Sequence, residues 1–186
     1  MIALDPKSTA LVLIDLQNGV LSFKLEPLSA DELLETGKAL ARRFRAEGAP
    51  VVLVNVAPAT VDNPRPVDEP FALPKPLPAG FFDLAPGLAE PADLKITKAT
   101  WGAFSEPELD RKLRERGVRT IALGGVATEF GVESTARQAS ELGYELVIVR
   151  DATTSIMLES HEHSMRRILP RIARVTDSGA LSFVRA

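Results

Sequence analysis

Short apolar runs alternate with amphipathic stretches along most of the chain. The runs are rich in β-branched residues and apolar nearly throughout, which is typical of strands covered on both faces of a sheet. We predict strands at the following runs: Leu11 to Asp15, Val51 to Val56, Leu94 to Lys98, Thr120 to Gly124, Leu146 to Arg150 and, with a weaker pattern, Ala173 to Thr176.

Helices with clear start and stop signals separate the predicted strands. Ser29 and Glu32 form a capping-box pattern, and apolar residues then recur at helical spacing until Gly48. Three further helices are predicted at about Ser105 to Gly117, Gly131 to Leu142 and Glu159 to Ile172. The repeated strand–helix–strand order predicts an α/β fold with three layers, α/β/α, around an open, mostly parallel sheet of about six strands.

One segment, at about residues 57–91, departs from this alternation. It holds nine of the 14 prolines, and six of them lie between Pro64 and Pro78. Because proline lacks a backbone donor and resists helix interiors, we expect an ordered loop or arm over the surface. Three interpretations stay open: a variable insertion, a lid over a pocket, or an arm that clasps a second subunit. The 186 residues otherwise have the length of a single domain, 1–186.

Composition and charge exclude several classes of function. Lys and Arg number 22 against 25 Asp and Glu, without a basic cluster, so no nucleic-acid partner is expected. The apolar runs are far shorter than the roughly 20 residues that span a bilayer, so no membrane partner is expected. The first residues do not resemble a signal peptide, which predicts a cytoplasmic protein. The chain has no cysteine, which excludes a disulfide, a thiolate nucleophile and a cysteine-based metal site.

Three segments that could carry chemistry lie where predicted strands end, and parallel sheets bind ligands at that edge. Asp15 is either an acidic group of a site or the cap of the next turn. Lys98 is either its charge partner or a solvated strand end. We expect their strands to be neighbours, about 4.8 Å apart, so that the two side chains form an ion pair. The segment Gly125 to Gly131 is either an anion-binding helix start or a tight turn.

Other site patterns are missing from the sequence. It contains no phosphate-binding loop, no dinucleotide fingerprint and no nucleophile elbow. His161 and His163 match no zinc motif and are expected to be solvated, so neither a metal nor a cofactor is predicted. We interpret Trp101, three residues after Lys98, as a wall of the pocket rather than a core residue.

Four segments, in matching order and spacing, resemble those of the isochorismatase-like (cysteine hydrolase) superfamily over almost the full chain. They are residues 10–18 (ALVLIDLQN), 98–104 (KATWGAF), 124–136 (GGVATEFGVESTA) and 149–153 (VRDAT). The resemblance implies the isochorismatase-like hydrolase fold. It also implies that Asp15 and Lys98 are catalytic and that Gly131 stands at the position of the family's nucleophilic cysteine.

The resemblance further implies a cis peptide bond between Val126 and Ala127. It implies a set of substrate-binding positions around the turn and the aromatic wall: Ala127, Gly131, Trp101, Glu129 and Phe130. Members with the cysteine form a thioester, which glycine cannot do. True isochorismatases, which also have glycine there, cleave a vinyl ether by protonation and water attack. In that chemistry Asp15 would be the acid/base and Lys98 its charge partner.

The sequence departs from true isochorismatases around the substrate. Those enzymes have a pattern like Gly-Val-Tyr-Ala-His before the glycine, where this chain has residues 125–129, Gly-Val-Ala-Thr-Glu. They also use a glutamine from the middle of the chain, whereas residues 57–90 contain none. The Asp-x-His metal segment of nicotinamidases is missing after Val56.

Two functional hypotheses follow from these residues. The first is an isochorismatase-family hydrolase without a covalent nucleophile, which acts on a small anionic or vinyl-ether-like substrate. The alternative is a catalytically silent member that binds a small carboxylate or amide, or serves as an oligomeric scaffold. The resemblance implies a homo-oligomer, a dimer or larger, and Pro64 to Pro78 is the predicted contact arm.

Overall fold

The computed structural model describes residues 1–56, 67–69, 73 and 76–184. The described strands are β1 Ile2–Leu4, β2 Thr9–Ile14, β3 Val51–Val56, β4 Leu94–Lys98, β5 Thr120–Gly125, β6 Glu145–Thr153, β7 Arg174–Thr176 and β8 Leu181–Phe183. The described α-helices are α1 Asn18–Leu21, α2 Ala30–Ala46, α3 Pro107–Glu115, α4 Glu133–Glu141 and α5 Leu158–His163.

Six of these strands form one parallel sheet in the order β4-β3-β2-β5-β6-β7, and β1 pairs with β8 in a small second sheet. Every residue of β2 is buried, as expected for a central strand covered on both faces. Leu33 and Phe44 of α2 pack in one apolar core, and Leu109 of α3 and Ala136 of α4 pack in the other. The predicted α/β fold with a parallel sheet of six strands is confirmed.

The predicted strand neighbours of Asp15 and Lys98 are wrong. β2, which ends just before Asp15, pairs with β3 and β5, and β4, which ends at Lys98, pairs with β3. β3 therefore lies between the strands of the two residues. Each predicted strand exists within a few residues, but the order of parallel strands depends on tertiary packing that local pattern does not contain.

Two helix predictions also need correction. The helix after β5 does not start at Gly131: residues Thr128–Val132 form a π-helical turn, and α4 follows. The stretch from Glu159 to Ile172 is not one helix but α5, a π-helical turn at Ser164–Ile168 and a 3₁₀ turn at Leu169–Arg171. Pro170 has no N–H, which prevents a regular α-helical ladder there.

The capping box at α2 is confirmed, since Ser29 Oγ accepts from Glu32 N at 3.3 Å and Ser29 N donates to Glu32 Oε2 at 2.9 Å. Within the described ranges, none of the helices combines the length and apolar character needed to cross a bilayer.

The proline-rich segment is described only in part, and most of the predicted arm at Pro64 to Pro78 lies outside the described residues. Its described end lies beside the chain that follows Asp15. Gly19 N donates to Phe81 O at 2.7 Å, and Asn18 N donates to Asp83 O at 2.9 Å. The described residues at this end of the segment therefore border the carboxyl edge of the sheet.

Candidate active site

Asp15 is the first residue after the central strand β2 and lies in a tight change of chain direction. Its N–H still donates to Val54 O of β3, at 2.8 Å, and its own carbonyl accepts from Gln17 N at 2.8 Å. Its φ of 55° is in the left-handed region, which aspartate tolerates better than most residues. The turn holds a carboxyl group that is only 7% exposed at the edge of the sheet.

Lys98 ends β4 and places its ammonium against that carboxyl group. Its Nζ lies 2.6 Å from Asp15 Oδ2, and the residue is 2% exposed. Since β3 separates the two strands, the four-carbon lysine side chain crosses the end of an intervening strand. The structure thus brings Asp15 and Lys98 together, although not through the adjacent strands that we predicted.

Burial and Lys98 act in opposite directions on the acidity of Asp15. Burial raises the pKa of Asp15, and the charge and hydrogen bond of Lys98 lower it by a smaller amount, so that the net effect is a rise from 3.8 to about 6. Oδ2 is taken by Lys98, while Oδ1 is buried with no hydrogen-bond partner among the described residues. A carboxyl group with a pKa of about 6 and a free oxygen can donate and accept a proton near neutral pH.

The turn from Ala127 to Gly131 lies against Asp15. The peptide bond between Val126 and Ala127 is cis, as the family resemblance implied. A β-carbon placed at Gly131 would lie 3.3 Å from Asp15 Oδ2 and 2.8 Å from Ile14 Cγ2. Gly131 is therefore next to the Asp15–Lys98 pair and carries no side chain there, and its correspondence to the family cysteine stays a prediction. Inward orientation of the Ala127 and Gly131 amides stays a prediction.

Thr135 fastens this turn to the segment that follows Trp101. Its hydroxyl donates to Gly131 O at 2.6 Å and accepts from Ala103 N at 3.0 Å. Trp101 is 63% exposed, and its ring lies 4.9 Å from that of Phe130, between ring centroids. The exposed Trp101 and the half-buried Phe130 thus form an aromatic pair beside the Gly131 turn, and their role in substrate binding stays a prediction.

Glu129 is engaged by a neighbouring hydroxyl. Ser155 Oγ lies 2.6 Å from both carboxylate oxygens of Glu129. Glu129 also lines a cleft of about 510 Å³ together with Glu133, Arg137 and His163. Neither Asp15, Lys98 nor Gly131 lines this cleft. A contact between Glu129 and substrate stays a prediction, and within the described residues its carboxylate is bound to Ser155.

Gln17 is a residue of the site that sequence reasoning missed. It is fully buried, and its Oε1 accepts from Val56 N at the end of β3, at 2.9 Å. Its Nε2 has no hydrogen-bond partner among the described residues. The sequence feature that could have identified Gln17 is its polar side chain two positions after Asp15, next to an apolar run that is expected to be buried.

The prediction of solvated histidines is wrong for His161 and right for His163. His161 is 5% exposed, and its Nδ1 lies 2.7 Å from Thr128 Oγ1 in the turn that carries Gly131. His163 is exposed. Within the part of the chain that the structure describes, no three or more His, Asp or Glu side chains are arranged to hold a metal ion.

Comparison with known proteins adds to this geometry. The Isochorismatase domain family matches residues 9–180. The uncharacterized isochorismatase family protein YecD of Escherichia coli O157:H7 is 45% identical over 179 residues, covering 94% of this chain and 95% of its own. The uncharacterized isochorismatase family protein YwoC of Bacillus subtilis is 38% identical over 176 residues, covering 92% and 90%. The ureidoacrylate amidohydrolase RutB of Methylobacterium radiotolerans is 31% identical over 207 residues, covering 96% and 80%.

Solved structures share the fold. An isochorismatase family protein from Burkholderia thailandensis superposes with a TM-score of 0.89 at 36% identity, covering 96% of this chain and 95% of its own. The YcaC protein of Escherichia coli, described as an octameric hydrolase of unknown specificity, matches with a TM-score of 0.76 at 20% identity, covering 95% and 78%, and so supports the fold alone. With the family domain matched across nearly its whole length and relatives aligned almost end to end, this chain belongs to the isochorismatase family.

Proposed function

We propose that this protein is an isochorismatase-family hydrolase of the subgroup with glycine at the nucleophile position, and that it works without a covalent intermediate. The supporting observation is the placement of Gly131, where a β-carbon would lie 3.3 Å from Asp15 Oδ2. The position that a cysteine would occupy adjoins the buried acid and its lysine partner, but it offers no thiol. A thioester route to amide hydrolysis is therefore closed to this chain.

In the proposed reaction Asp15 is the general acid and base, and the substrate is a small anion with a vinyl ether. Protonated Asp15 donates its proton from Oδ1, its free oxygen, to the terminal alkene carbon. The resulting oxocarbenium ion is attacked by water, whose proton returns to Asp15. The hemiketal then collapses to an alcohol and a carbonyl compound. Lys98 stabilises the carboxylate that exists between the two proton transfers.

The remaining substrate contacts are assigned to the turn and the aromatic pair. We assign the amides of Ala127 and Gly131 to the anionic group of the substrate. Trp101 and Phe130 form the wall of the pocket, and Glu129 lies at its margin. The Ser155 hydroxyl on both oxygens of Glu129 supports this assignment, because it disperses a charge that would otherwise repel an anionic substrate.

We further propose that residues 1–186 act as one domain in a cytoplasmic homo-oligomer of two or more subunits, with a small-molecule substrate and neither nucleic acid nor membrane as partner. The proposed assembly rests on the membership of the chain in the isochorismatase family. Light scattering tests it, and a stable monomer at micromolar concentration would contradict it.

The reaction is tested by pyruvate release from isochorismate, coupled to NADH oxidation through lactate dehydrogenase. We expect Asp15→Asn and Lys98→Ala each to lower kcat/KM by about 100-fold or more. Lys24→Ala is the matched control, since Lys24 also pairs with a carboxylate at 2.6 Å but its side chain is 86% exposed.

The alternative function, binding without turnover, predicts a different result in the same assay. It is favoured by the missing thiol and by residues 125–129, Gly-Val-Ala-Thr-Glu, which differ from the pattern of true isochorismatases. If no pyruvate appears, while calorimetry detects a small carboxylate or amide that binds wild type and Asp15→Asn alike, the protein is a binding member of the family.

A further inference from the structure

A second cleft lies away from the Asp15–Lys98 pair. It has a volume of about 520 Å³, within the range of small-molecule sites. Its lining combines apolar side chains with two arginines and a buried histidine: Pro27, Leu158, Met165, Pro170, Val175, Arg150, Arg166, His161 and Glu162. None of these residues belongs to the candidate active site, so the cleft is a separate feature of the fold.

His161 presents an unpaired nitrogen to this cleft. Thr128 Oγ1 donates its single proton to Thr154 O, at 3.0 Å, and the same oxygen lies 2.7 Å from His161 Nδ1. We assign the imidazole proton to Nδ1, because a hydroxyl that donates to Thr154 O has no second proton to give to the ring. Nε2 is then an acceptor, and within the described residues the only side-chain hydrogen bond of His161 is the one at Nδ1. Burial lowers the pKa of His161, which keeps Nε2 unprotonated.

The two arginines keep their donors available. Arg150 Nε lies 3.6 Å from Asp177 Oδ1, and Arg166 Nη2 lies 3.5 Å from Glu162 Oε1. Neither guanidinium group makes a hydrogen bond within the described ranges. Both side chains are more than half exposed, so these ion pairs are weak and exchange readily for a ligand carboxylate. Glu162 is the one acidic group in the lining, against two cations.

We propose that this cleft binds a small carboxylate that carries a hydroxyl group and a short branched apolar body, such as a 2-hydroxy acid with an aliphatic side chain. The carboxylate pairs with Arg150 and Arg166. The hydroxyl donates to His161 Nε2, and the aliphatic group packs on Leu158 and Met165. A neutral acceptor beside two cations selects a ligand that brings both a donor and a negative charge.

A hydrogen bond of His161 connects the cleft to the turn that carries Gly131. The imidazole that receives the ligand hydroxyl donates to Thr128, which lies three residues before Gly131. Ligand binding is therefore expected to shift the amide NMR signals of Thr128 and its neighbours.

Isothermal titration calorimetry with three matched probes tests the site. The probes are 2-hydroxy-4-methylpentanoate, 4-methylpentanoate, which lacks the hydroxyl, and 2-hydroxy-4-methylpentanamide, which lacks the charge. We expect the first to bind about tenfold more tightly than either of the others, the equivalent of one hydrogen bond to a charged or buried group. Equal binding of all three, which an unspecific apolar cleft would give, overturns the proposal.

Variants assign each contact. The amide of His161→Asn can still donate to Thr128, but this variant should bind 2-hydroxy-4-methylpentanoate no more tightly than 4-methylpentanoate. The control His163→Asn, on the same helix, should retain the difference in affinity. The double variant Arg150→Ala/Arg166→Ala should bind 2-hydroxy-4-methylpentanoate no more tightly than the uncharged amide. Both arginines are exposed, so the substitutions leave the fold intact. The proposal is overturned if binding is lost in Trp101→Ala instead, which would place the ligand at the Asp15 site without removing a buried side chain. It is also overturned if inorganic phosphate alone displaces the probe, or if the arginine variants only alter self-association. Nitrogen-15 NMR of the imidazole checks the Nδ1–H tautomer.

Discussion

The ammonium of Lys98 lies 2.6 Å from Asp15 Oδ2 even though β3 separates the strands that carry the two residues. Both residues are buried, at 2% and 7% exposure, so neither charge is hydrated in the folded protein. Two charges in such a position are tolerated only as a pair, because removal of one leaves the other desolvated and uncompensated. The pair is therefore a structural element as well as a chemical one.

Removal of Lys98 should destabilise the protein strongly. We expect Lys98→Ala to lower the free energy of unfolding by about 3–5 kcal/mol, since it breaks a buried pair and removes a buried aliphatic stem. Denaturation in urea, followed by circular dichroism, measures the effect. In the control Lys24→Ala the free energy of unfolding should stay unchanged, because the pair of Lys24 with Glu26 has the same length but is solvated. Equal effects of the two substitutions would contradict the role given to burial.

The acidity of Asp15 is a second measurable quantity. Carbon-detected NMR of the side-chain carboxyl groups should find Asp15 titrating at about pH 6. Lys98→Met should raise the pKa of Asp15 further, because the lysine charge and its hydrogen bond are the two influences that lower it. A pKa for Asp15 near that of a solvated aspartate would contradict this prediction and show that burial does not outweigh the effect of Lys98.

The same shift predicts how stability depends on pH. The pKa of Asp15 is about 6 in the folded state and 3.8 when solvated, so between these values the folded protein binds a proton that the unfolded chain has released. Stability therefore falls as pH rises through this window. Urea denaturation from pH 4 to pH 7 should show this decline in wild type, and Asp15→Asn should lack that component. A stability that rises with pH in wild type relative to the variant would contradict it.

Sequence pattern located the ends of the strands but not their arrangement. Asp15 and Lys98 are polar residues that terminate apolar runs, and that signal is local, so both could be named from the sequence. Their separation by β3 could not be, because every buried parallel strand presents the same kind of apolar run. The length of the lysine side chain allows the pair to form although β3 lies between the strands of the two residues.

The hydrogen-bond partners of buried polar groups could not be predicted from the sequence either. His161 and His163 stand on opposite sides of one short helix, and the pattern alone did not reveal that one of them meets Thr128. From the sequence, Gln17 could equally be an ordinary turn residue. In the structure its Oε1 accepts from Val56 N, and its Nε2 has no partner among the described residues. Such contacts are set by long-range packing rather than by spacing along the chain.

The rate of the proposed reaction should also follow Asp15. A proton donor must be protonated in the free enzyme, so kcat/KM for pyruvate release should be constant at low pH and fall about tenfold per pH unit above pH 6. A profile measured from pH 5 to pH 8 checks this dependence. A rate that instead rises through pH 6 would assign Asp15 the role of base in the first step and contradict the proposed order of proton transfers.

Gly131 should resist substitution because of Ile14 rather than because of its own backbone. A β-carbon at Gly131 would lie 2.8 Å from Ile14 Cγ2, and Ile14 is fully buried and stiff at χ1, so its methyl group cannot move aside. We expect Gly131→Ala to lower the free energy of unfolding by about 1–3 kcal/mol. That cost outweighs the gain of about 0.4–1 kcal/mol that alanine brings by restricting the unfolded chain.

Control variants separate this contact from a general effect of alanine. Gly179→Ala should leave stability unchanged or slightly raised, because no heavy atom lies within 4 Å of its β-carbon position. In an Ile14→Ala background, which removes Cγ2, the cost of Gly131→Ala should shrink, whereas Ile14→Val retains Cγ2 and should retain the cost. Urea denaturation with and without Gly131→Ala in the wild-type, Ile14→Ala and Ile14→Val backgrounds gives the coupling. If the cost is the same in Ile14→Ala as in wild type, Ile14 is not what excludes a side chain from this position, and the glycine must be required by another contact of the turn.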